Sequence, residues 1–177
     1  MTQQDVRTEA LDAAWVRDFA DQWLAAWNSH EPERLLALMT DDIVYDDTAW
    51  PTTMHGHEGV RAFLDHAWRG MPDLRFEVRS GPYVHPDEPR ASFWWNGYAT
   101  HTGQLDPPGL APTGKALTFD GADFHEYRDG KVARLRIVFD MADAMRQLGV
   151  LPAIGGREER LMAKAANVRG RFARRGG

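Results

Sequence analysis

The spacing of apolar residues changes once along the chain, near residue 72, and this change restricts the folds open to it. Before that point apolar residues recur every three or four positions, as in amphipathic helices. Beyond it they alternate with polar residues, as in strands that bury one face. Helices followed by a run of antiparallel strands predict an α+β fold, in which helices pack on one face of a bent sheet.

Three helices are predicted in the first part of the chain. The first covers about residues 11–28, the second begins near Pro32, and the third ends before Pro72. Proline suits the first turn of a helix and cannot continue one, which supports both boundaries. A short strand is predicted over residues 41–47. The first helix carries large apolar residues every four positions, namely Leu11, Trp15, Phe19, Trp23 and Trp27.

The second part predicts four strands and one short closing helix. An Asp-Gly pair at residues 129–130 indicates a tight hairpin between the last two strands. Asp140 follows the last strand and suits the N-cap of a helix that ends at Gly149. The strand segments are residues 74–85, 90–103, 115–127 and 131–140.

Charge divides the chain into an acidic body and a basic tail. Residues 157–175 contain seven basic and two acidic residues, although the net charge of all 177 residues is −5. We expect one folded domain over residues 1–155 and a tail over residues 156–177. The tail has helical spacing at Leu161, Ala165, Val168 and Phe172, so it packs on the body or stays solvated, with a membrane-surface or partner helix as the alternative. An acidic body argues against a nucleic-acid partner.

Several classes of protein are excluded by what the sequence lacks. The chain has no cysteine, which rules out disulfides, thiol nucleophiles and cysteine metal ligands and is compatible with a cytoplasmic location. No apolar run approaches the roughly 18 residues of a membrane span, and the first 15 residues do not resemble a signal peptide. No serine nucleophile elbow, phosphate-binding glycine loop or dinucleotide fingerprint is present.

Asp123 and His125 are the main candidates for chemistry. They lie two residues apart in a strand, so they share one face with neighbouring aromatic residues. An acid beside an imidazole at the wall of an apolar pocket is suited to moving a proton next to a carbonyl group. The alternative is structural: Asp123 only orients His125, or it pairs with Arg134 or Arg136.

The order of these elements resembles the SnoaL-like polyketide cyclases, a family of the cone-shaped nuclear-transport-factor-2-like superfamily. Scytalone dehydratase, limonene epoxide hydrolase and ketosteroid isomerase are relatives. The likeness covers about residues 15–152. The segments that carry it are WNSHEPERLLALMTDDIVYDD, HGHEGVRAFL, PDLRFEV, THTG, PPGLAPTGKALTFDGADFHEYRDGKV, FD and RQLGVLP.

The resemblance implies a cone built from a strongly curved, mixed or antiparallel sheet with three N-terminal helices packed on it. It implies a pocket at the wide end, no cofactor, no metal, and a homodimer paired through the open face of the sheet. Cyclases of this family close a polyketide ester by an intramolecular aldol reaction, and relatives dehydrate, isomerise or open epoxides. The fold alone selects none of these reactions.

One position departs from the family pattern. The cyclases carry their base three residues before the acid that corresponds to Asp140, and this chain has Ile137 there. The family histidines match His125 and His101, although Ala99 replaces a glycine of the second motif. We therefore expect that the base has moved to Asp123, with His125 orienting it or stabilising an enolate oxygen.

Further residues are expected around the substrate. Either Asp46 or Asp47 faces it while the other caps or turns the chain, and one of the adjacent tryptophans 94 and 95 lines the pocket. His55 and His57 have metal-ligand spacing that His101 or His125 would complete, but no metal is expected. The substrate-binding candidates are Tyr45, Asp46, Trp50, His55, Trp95, His101 and Ile137. For His101 the alternative is a structural role, in which its imidazole is hydrogen-bonded within the fold.

These observations predict a cofactor-independent enzyme for a hydrophobic, oxygenated, polyketide-like molecule. Proton transfer would lead to cyclisation, isomerisation or dehydration. Two alternatives stay open: water addition as in epoxide hydrolases, and a non-catalytic protein that binds a small molecule in a degenerate cone pocket.

Overall fold

The computed structural model describes residues 11–173, with the side chains of residues 11–169. The first ten residues, and with them most of the segment examined for a signal peptide, lie outside this part. The helices are α1 (Ala13–Ser29), α2 (Pro32–Leu36), α3 (Gly56–Gly70), α4 (Met141–Leu148) and α5 (Arg157–Ala173). The strands are β1 (Met39–Asp47), β2 (Met54–His55), β3 (Arg75–Val84), β4 (Arg90–Thr100), β5 (Ala116–Arg128) and β6 (Lys131–Phe139).

The predicted α+β architecture and its three leading helices are confirmed. The four long strands β3 to β6 follow in sequence order and pair antiparallel. Helix α2 is only five residues long, shorter than its apolar pattern predicts, because β1 begins at Met39. The two-residue strand β2 was not predicted, since so short a segment has no period to detect.

The sheet has the order β2-β1-β6-β5-β4-β3, and β1 runs parallel to β6. This parallel pairing brings the end of β1 beside the middle of β6. Cα register aligns Phe93 with Asp123, Asp123 with Ile137, and Ile137 with Asp47. One row across four strands therefore holds two acids with an isoleucine between them, and the side chains of all four residues are buried.

The inner face of the sheet packs against α1 and α3. Asp12 caps α1 by accepting from the backbone N–H of Ala14 at 2.8 Å, so the helix starts where its apolar stripe begins. The stripe buries Val16, Phe19 and Trp23 against the sheet side. Burial of such large side chains contributes roughly 1.5–3 kcal/mol each, which ties the long helix to the sheet.

The tail forms a helix, as its spacing predicts, but its side chains do not enter the core. From Arg157 to Arg169 every side chain is exposed except that of Glu159, which is partly buried. Leu161 and Val168 are 64% and 51% exposed. The side chain of Phe172 lies outside the described residues. Within residues 11–173, no helix combines the length and apolar character that crossing a membrane requires.

Candidate functional site

A cavity of about 290 Å³ lies between the inner face of the sheet, the helices α1, α3 and α4, and the segment 105–110. Such a cavity is large enough for a small organic molecule. Its lining is apolar apart from three titratable side chains, which are Asp47, His66 and Asp123. The apolar lining comprises Ala20, Trp23, Leu24, Trp27, Ala49, Phe63, Ala67, Met71, Leu74, Phe76, Val78, Phe93, Trp95, Leu105, Pro107, Pro108, Leu110, Leu117, Phe119, Ile137, Phe139, Met141, Ala144, Met145 and Leu148.

Asp123 reaches the cavity from the middle of β5 and is 4% exposed. Its Oδ1 accepts from Trp95 Nε1 at 2.5 Å, and its Oδ2 accepts from Trp23 Nε1 at 3.2 Å. His125 Nε2 lies 3.3 Å from Oδ2. Three nitrogen donors from α1, β4 and β5 therefore hold the carboxyl group in one orientation.

His125 lies behind Asp123 and does not line this cavity. It is 1% exposed, and Trp23 packs edge-on against it with ring centroids 4.8 Å apart. Its Nδ1 lies 3.0 Å from the hydroxyl of Tyr127, two residues further along the same face of β5. Burial and the charge of Asp123 raise the pKa of Tyr127, so this hydroxyl keeps its proton and can donate to Nδ1. His125 then donates from Nε2 to Asp123, which is a positioning role.

The structure contradicts the alternative in which Asp123 pairs with an arginine. Arg134 lies on the opposite face of the sheet, where its Nε is 3.9 Å from Glu126. Position 136 also alternates to that face, so its side chain is exposed. The partners of Asp123 are two indoles and one imidazole, and none is a permanent cation.

Asp47 is the functional candidate that the sequence left undecided. It lines the cavity, is 8% exposed, and accepts from Tyr45 Oη at 3.1 Å and from the backbone N–H of Ala49 at 2.8 Å. Burial, reinforced by the charge of Asp123, raises the pKa of Asp47 to about 6. Asp46 points to the other face and accepts from Thr53 Oγ1. Strand alternation from the buried Ile43 would have identified Asp47.

His66 on α3 was missed by the sequence analysis. It lies on the same helix face as Phe63 and Ala67, is 8% exposed, and packs against Trp50 with ring centroids 5.1 Å apart. Burial lowers its pKa, so the imidazole is neutral at pH 7 and offers one N–H donor. A histidine at helical spacing within an apolar stripe was the available signal.

Two of the predicted substrate contacts lie on the cavity wall. Ile137 lies between the two acids, and Trp95 contributes its indole ring. Trp94 faces the opposite side, as adjacency in a strand predicts; its Nε1 donates to Asp120 at 2.9 Å and Arg79 stacks over its ring at 4.1 Å.

The other predicted contacts lie elsewhere, contrary to expectation. Tyr45 is fully buried and reaches the site only through Asp47, while Trp50 is half-buried behind His66. His55 is exposed at the start of α3. His101 is fully buried and fixes the neighbouring loop through Thr113, whose Oγ1 lies 3.1 Å from its Nδ1. Asp46 lies on the outer face of the sheet, where it accepts from Thr53 Oγ1.

The metal alternative has no geometric support in the part of the chain described. Within residues 11–169, no three histidine or acidic side chains are arranged to hold an ion. His55 and His57 therefore do not combine with His101 or His125.

Comparisons with known proteins identify the family. The sequence model of the SnoaL-like domain matches residues 20–135, which span most of the cavity wall. A sequence search of curated proteins returns no match.

Solved structures show the same fold at low identity. AclR from Streptomyces galilaeus, proposed to be a hydroxylase, has a TM-score of 0.67 at 24% identity, covering 80% of this chain and 89% of its own. IdmH from Streptomyces antibioticus, proposed to be a polyketide cyclase, has a TM-score of 0.62 at 21% sequence identity. The match covers 75% of this chain and 97% of IdmH. A nuclear-transport-factor-2-like protein of unknown function from Burkholderia pseudomallei has 0.62 at 16%, with coverages of 76% and 97%.

These structures share a cone-shaped α+β fold with this chain, and the domain match covers its helices α2 and α3 and most of its sheet. The chain therefore belongs to the SnoaL-like domain family.

Proposed function

We propose that this protein is a SnoaL-type enzyme that moves a proton on a hydrophobic, oxygenated, polyketide-like molecule, leading to cyclisation, isomerisation or dehydration. The observation that carries the proposal is Asp123, a buried carboxylate at the wall of an apolar cavity. A carboxylate has about four acceptor positions. Three are occupied by nitrogen donors, so one remains for a ligand.

Each polar group has a distinct part in this proposal. Asp123 takes a proton from the carbon beside a carbonyl group, and the electron pair moves to the carbonyl oxygen. The neutral His66 donates its N–H to that oxygen. The fraction of Asp47 that is protonated near pH 6, because its pKa is raised to about 6, returns a proton at a second atom. His125 only positions Asp123. The proton transfer uses side chains of this chain alone.

Exchange of carbon-bound hydrogen in D₂O tests the proposal without knowledge of the natural substrate. Bicyclic ketones such as α-tetralone are incubated with the protein, and deuterium incorporation is followed by mass spectrometry. We expect exchange above the buffer rate that falls at least about 100-fold in Asp123→Asn. Asp120→Asn is the matched control, because Asp120 also accepts from an indole but lies on the outer face. Exchange unchanged in Asp123→Asn, or no exchange with any ketone, would refute the proposal.

A non-catalytic binding protein is the second candidate, and Ile137 favours it. The family position of the base is apolar here, and the carboxyl of Asp123 is largely occupied by structural donors. Such a protein would bind an apolar ligand equally well in the wild type and in Asp123→Asn, and would turn nothing over.

We also propose a homodimer formed through the outer face of the sheet. This face exposes Trp94, Phe124 and Tyr83, which are 38%, 49% and 55% exposed. Large apolar side chains grouped on one sheet face are typical of a protein interface. Light scattering should give twice the chain mass, and Phe124→Glu should shift it toward the monomer.

A further inference from the structure

The cavity of the candidate site has an unbalanced charge. Two of its three titratable side chains are acids, Asp47 and Asp123, and both are buried. Among the side chains of residues 11–169 that line it, neither lysine nor arginine occurs. A buried carboxylate normally has an opposite charge beside it, because transfer of an unpaired ion into an apolar region is costly.

The partners of Asp123 satisfy its ionised form without cancelling its charge. Trp23 and Trp95 donate neutral indole N–H groups. The hydroxyl of Tyr127 lies 3.0 Å from Nδ1 of His125, and it can donate there while Nε2 donates to Asp123. The negative charge of Asp123 therefore remains available to a ligand.

The negative charge of Asp47 is likewise not cancelled by a cation beside it. Its hydrogen-bond donors are the hydroxyl of Tyr45 and a backbone N–H, and the charge of Asp123 adds to its own. Arg136 acts on it favourably, but only weakly and from the exposed outer face. His66, the third titratable group of the wall, is neutral at pH 7 because burial lowers its pKa.

Aromatic rings make up much of the remaining wall. Eight aromatic side chains line the cavity, among them Trp27, Phe76 and Phe93. The faces of such rings carry partial negative charge and attract organic cations. Acids and rings thus favour the same sign of ligand charge. Proton transfer from a ligand to Asp123 would move one negative charge from the carboxylate to the enolate oxygen, so the cavity would keep the same net charge.

From these observations we propose that the cavity binds a hydrophobic organic cation, that is, a molecule that carries a protonated amine or a quaternary ammonium group. The cationic group contacts the aromatic wall close to Asp123 and Asp47. This inference refines the substrate class of the proposed function and rests on the same cavity. The cation offsets the charge of the two carboxylates before proton transfer, and that of Asp47 and the enolate oxygen after Asp123 has taken the proton.

A pair of probes of nearly equal shape tests the inference. Phenyltrimethylammonium and tert-butylbenzene differ in that a quaternary carbon replaces the charged nitrogen. Isothermal titration calorimetry of the full chain measures both affinities. We expect the cation to bind at least about tenfold more tightly than the neutral probe. The tenfold preference should disappear in the double variant Asp47→Asn and Asp123→Asn and persist in Asp120→Asn. Affinity for tert-butylbenzene shows whether each variant still forms the cavity.

The pH dependence supplies a second readout. Lowering the pH from 8 to 5 protonates Asp47, whose surroundings are Tyr45, Asp123, Arg136 and His66; the pKa of His66 is lowered by burial, and any protonation of it would also weaken cation binding. Affinity for the cation should fall across this range, while affinity for tert-butylbenzene should stay constant.

Equal affinities, tighter binding of the neutral probe, or no binding of either one would overturn the inference. Its failure is distinguishable from that of the proposed function. If ketones exchange deuterium through Asp123 but the probes bind equally, the function stands and the cation preference is wrong. If the cation binds preferentially but no ketone exchanges deuterium, the cation preference stands and the proposed function is wrong.

Discussion

Single residues in the row Phe93, Asp123, Ile137 and Asp47 determine what the cavity can hold. The register places Ile137 directly between the two acids, with adjacent strands about 4.8 Å apart. An apolar side chain at this position separates two like charges. This gives a physical reason for the absence of a third acid where the family usually has its base.

Ile137→Asp should therefore destabilise the fold more at high pH than at low pH. At pH 8 it places three buried carboxylates side by side, and we expect the free energy of unfolding to fall by about 3–5 kcal/mol. Ile137→Asn is similar in size but cannot ionise, so it isolates the cost of charge. Urea unfolding at pH 5 and pH 8 measures the difference. Equal losses for the two variants at pH 8 would contradict this explanation.

Asp47 should make the stability of the wild type depend on pH. Its pKa rises from 3.8 to about 6 on folding, so the folded state binds more protons than the unfolded state between these values. Its contribution therefore favours folding below pH 4, falls as the pH rises through this window, and stays low above pH 6. Two units correspond to roughly 3 kcal/mol.

The variant Asp47→Asn should remove this slope, so wild type minus variant changes by up to about 3 kcal/mol between pH 4 and pH 7. Asp46→Asn is the control, because Asp46 is on the other face and bonded to Thr53. Urea titrations at several pH values decide the question. The same dependence of unfolding free energy on pH in both variants would mean that burial does not raise the pKa of Asp47.

At the scale of elements, β5 carries the central acid of the site and α4 forms part of its apolar wall. Strand β5 aligns Asp123, His125 and Tyr127 on one face, so a hydrogen-bonded chain runs from the cavity into the core. Helix α4 closes one side of the cavity with Met141, Met145 and neighbouring residues. Asp140 starts this helix by accepting from the backbone N–H of Asp143 at 2.9 Å, which confirms the predicted cap.

Removal of the cap in Asp140→Ala should cost about 1 kcal/mol of stability, since one helix-start N–H loses its acceptor. Asp140→Asn keeps a side-chain oxygen and should stay within a few tenths of a kcal/mol of the wild type. Chemical unfolding gives both values. Hydrogen exchange should show faster opening of residues 143–148 in the alanine variant only. An asparagine variant as unstable as the alanine variant would assign the effect to something other than the cap.

At the scale of the whole molecule, the cone contains the hydrophobic core, whereas the described side chains of the tail contribute almost nothing to it. The inner sheet face, α1 and α3 bury the large apolar side chains together. The described side chains of α5 are almost all exposed, and its acidic first turn precedes a basic remainder. This supports our proposal that residues 1–155 form the folded unit and residues 156–177 an appended tail.

Deletion of residues 157–177 should accordingly leave thermal stability almost unchanged. The described side chains of this segment, residues 157–169, bury almost nothing and so contribute little, and we expect Tm to shift by less than about 2 °C. Differential scanning calorimetry of the shortened and full chains provides the comparison. A larger decrease would mean that the tail packs against the body, which would refute its assignment as a separate segment.

The amino-acid sequence alone determined the order of elements, the curved α+β sheet and the facing of Asp123, His125 and Ile137. These depend on local periodicity and alternation, which a single strand or helix displays by itself. Only the tertiary structure decided that Asp47 and His66 share the cavity with Asp123, and that His101 and His55 do not. The parallel pairing of β1 with β6 and the packing of α3 bring Asp47 and His66 to the same cavity as Asp123, which lies 76 and 57 positions further along the chain, and no local pattern encodes such distances. Burial decided the remaining roles. It raises the pKa of Asp47 and lowers the pKa of His66, and it places His125 behind Asp123, where it positions the carboxyl group instead of contacting a ligand.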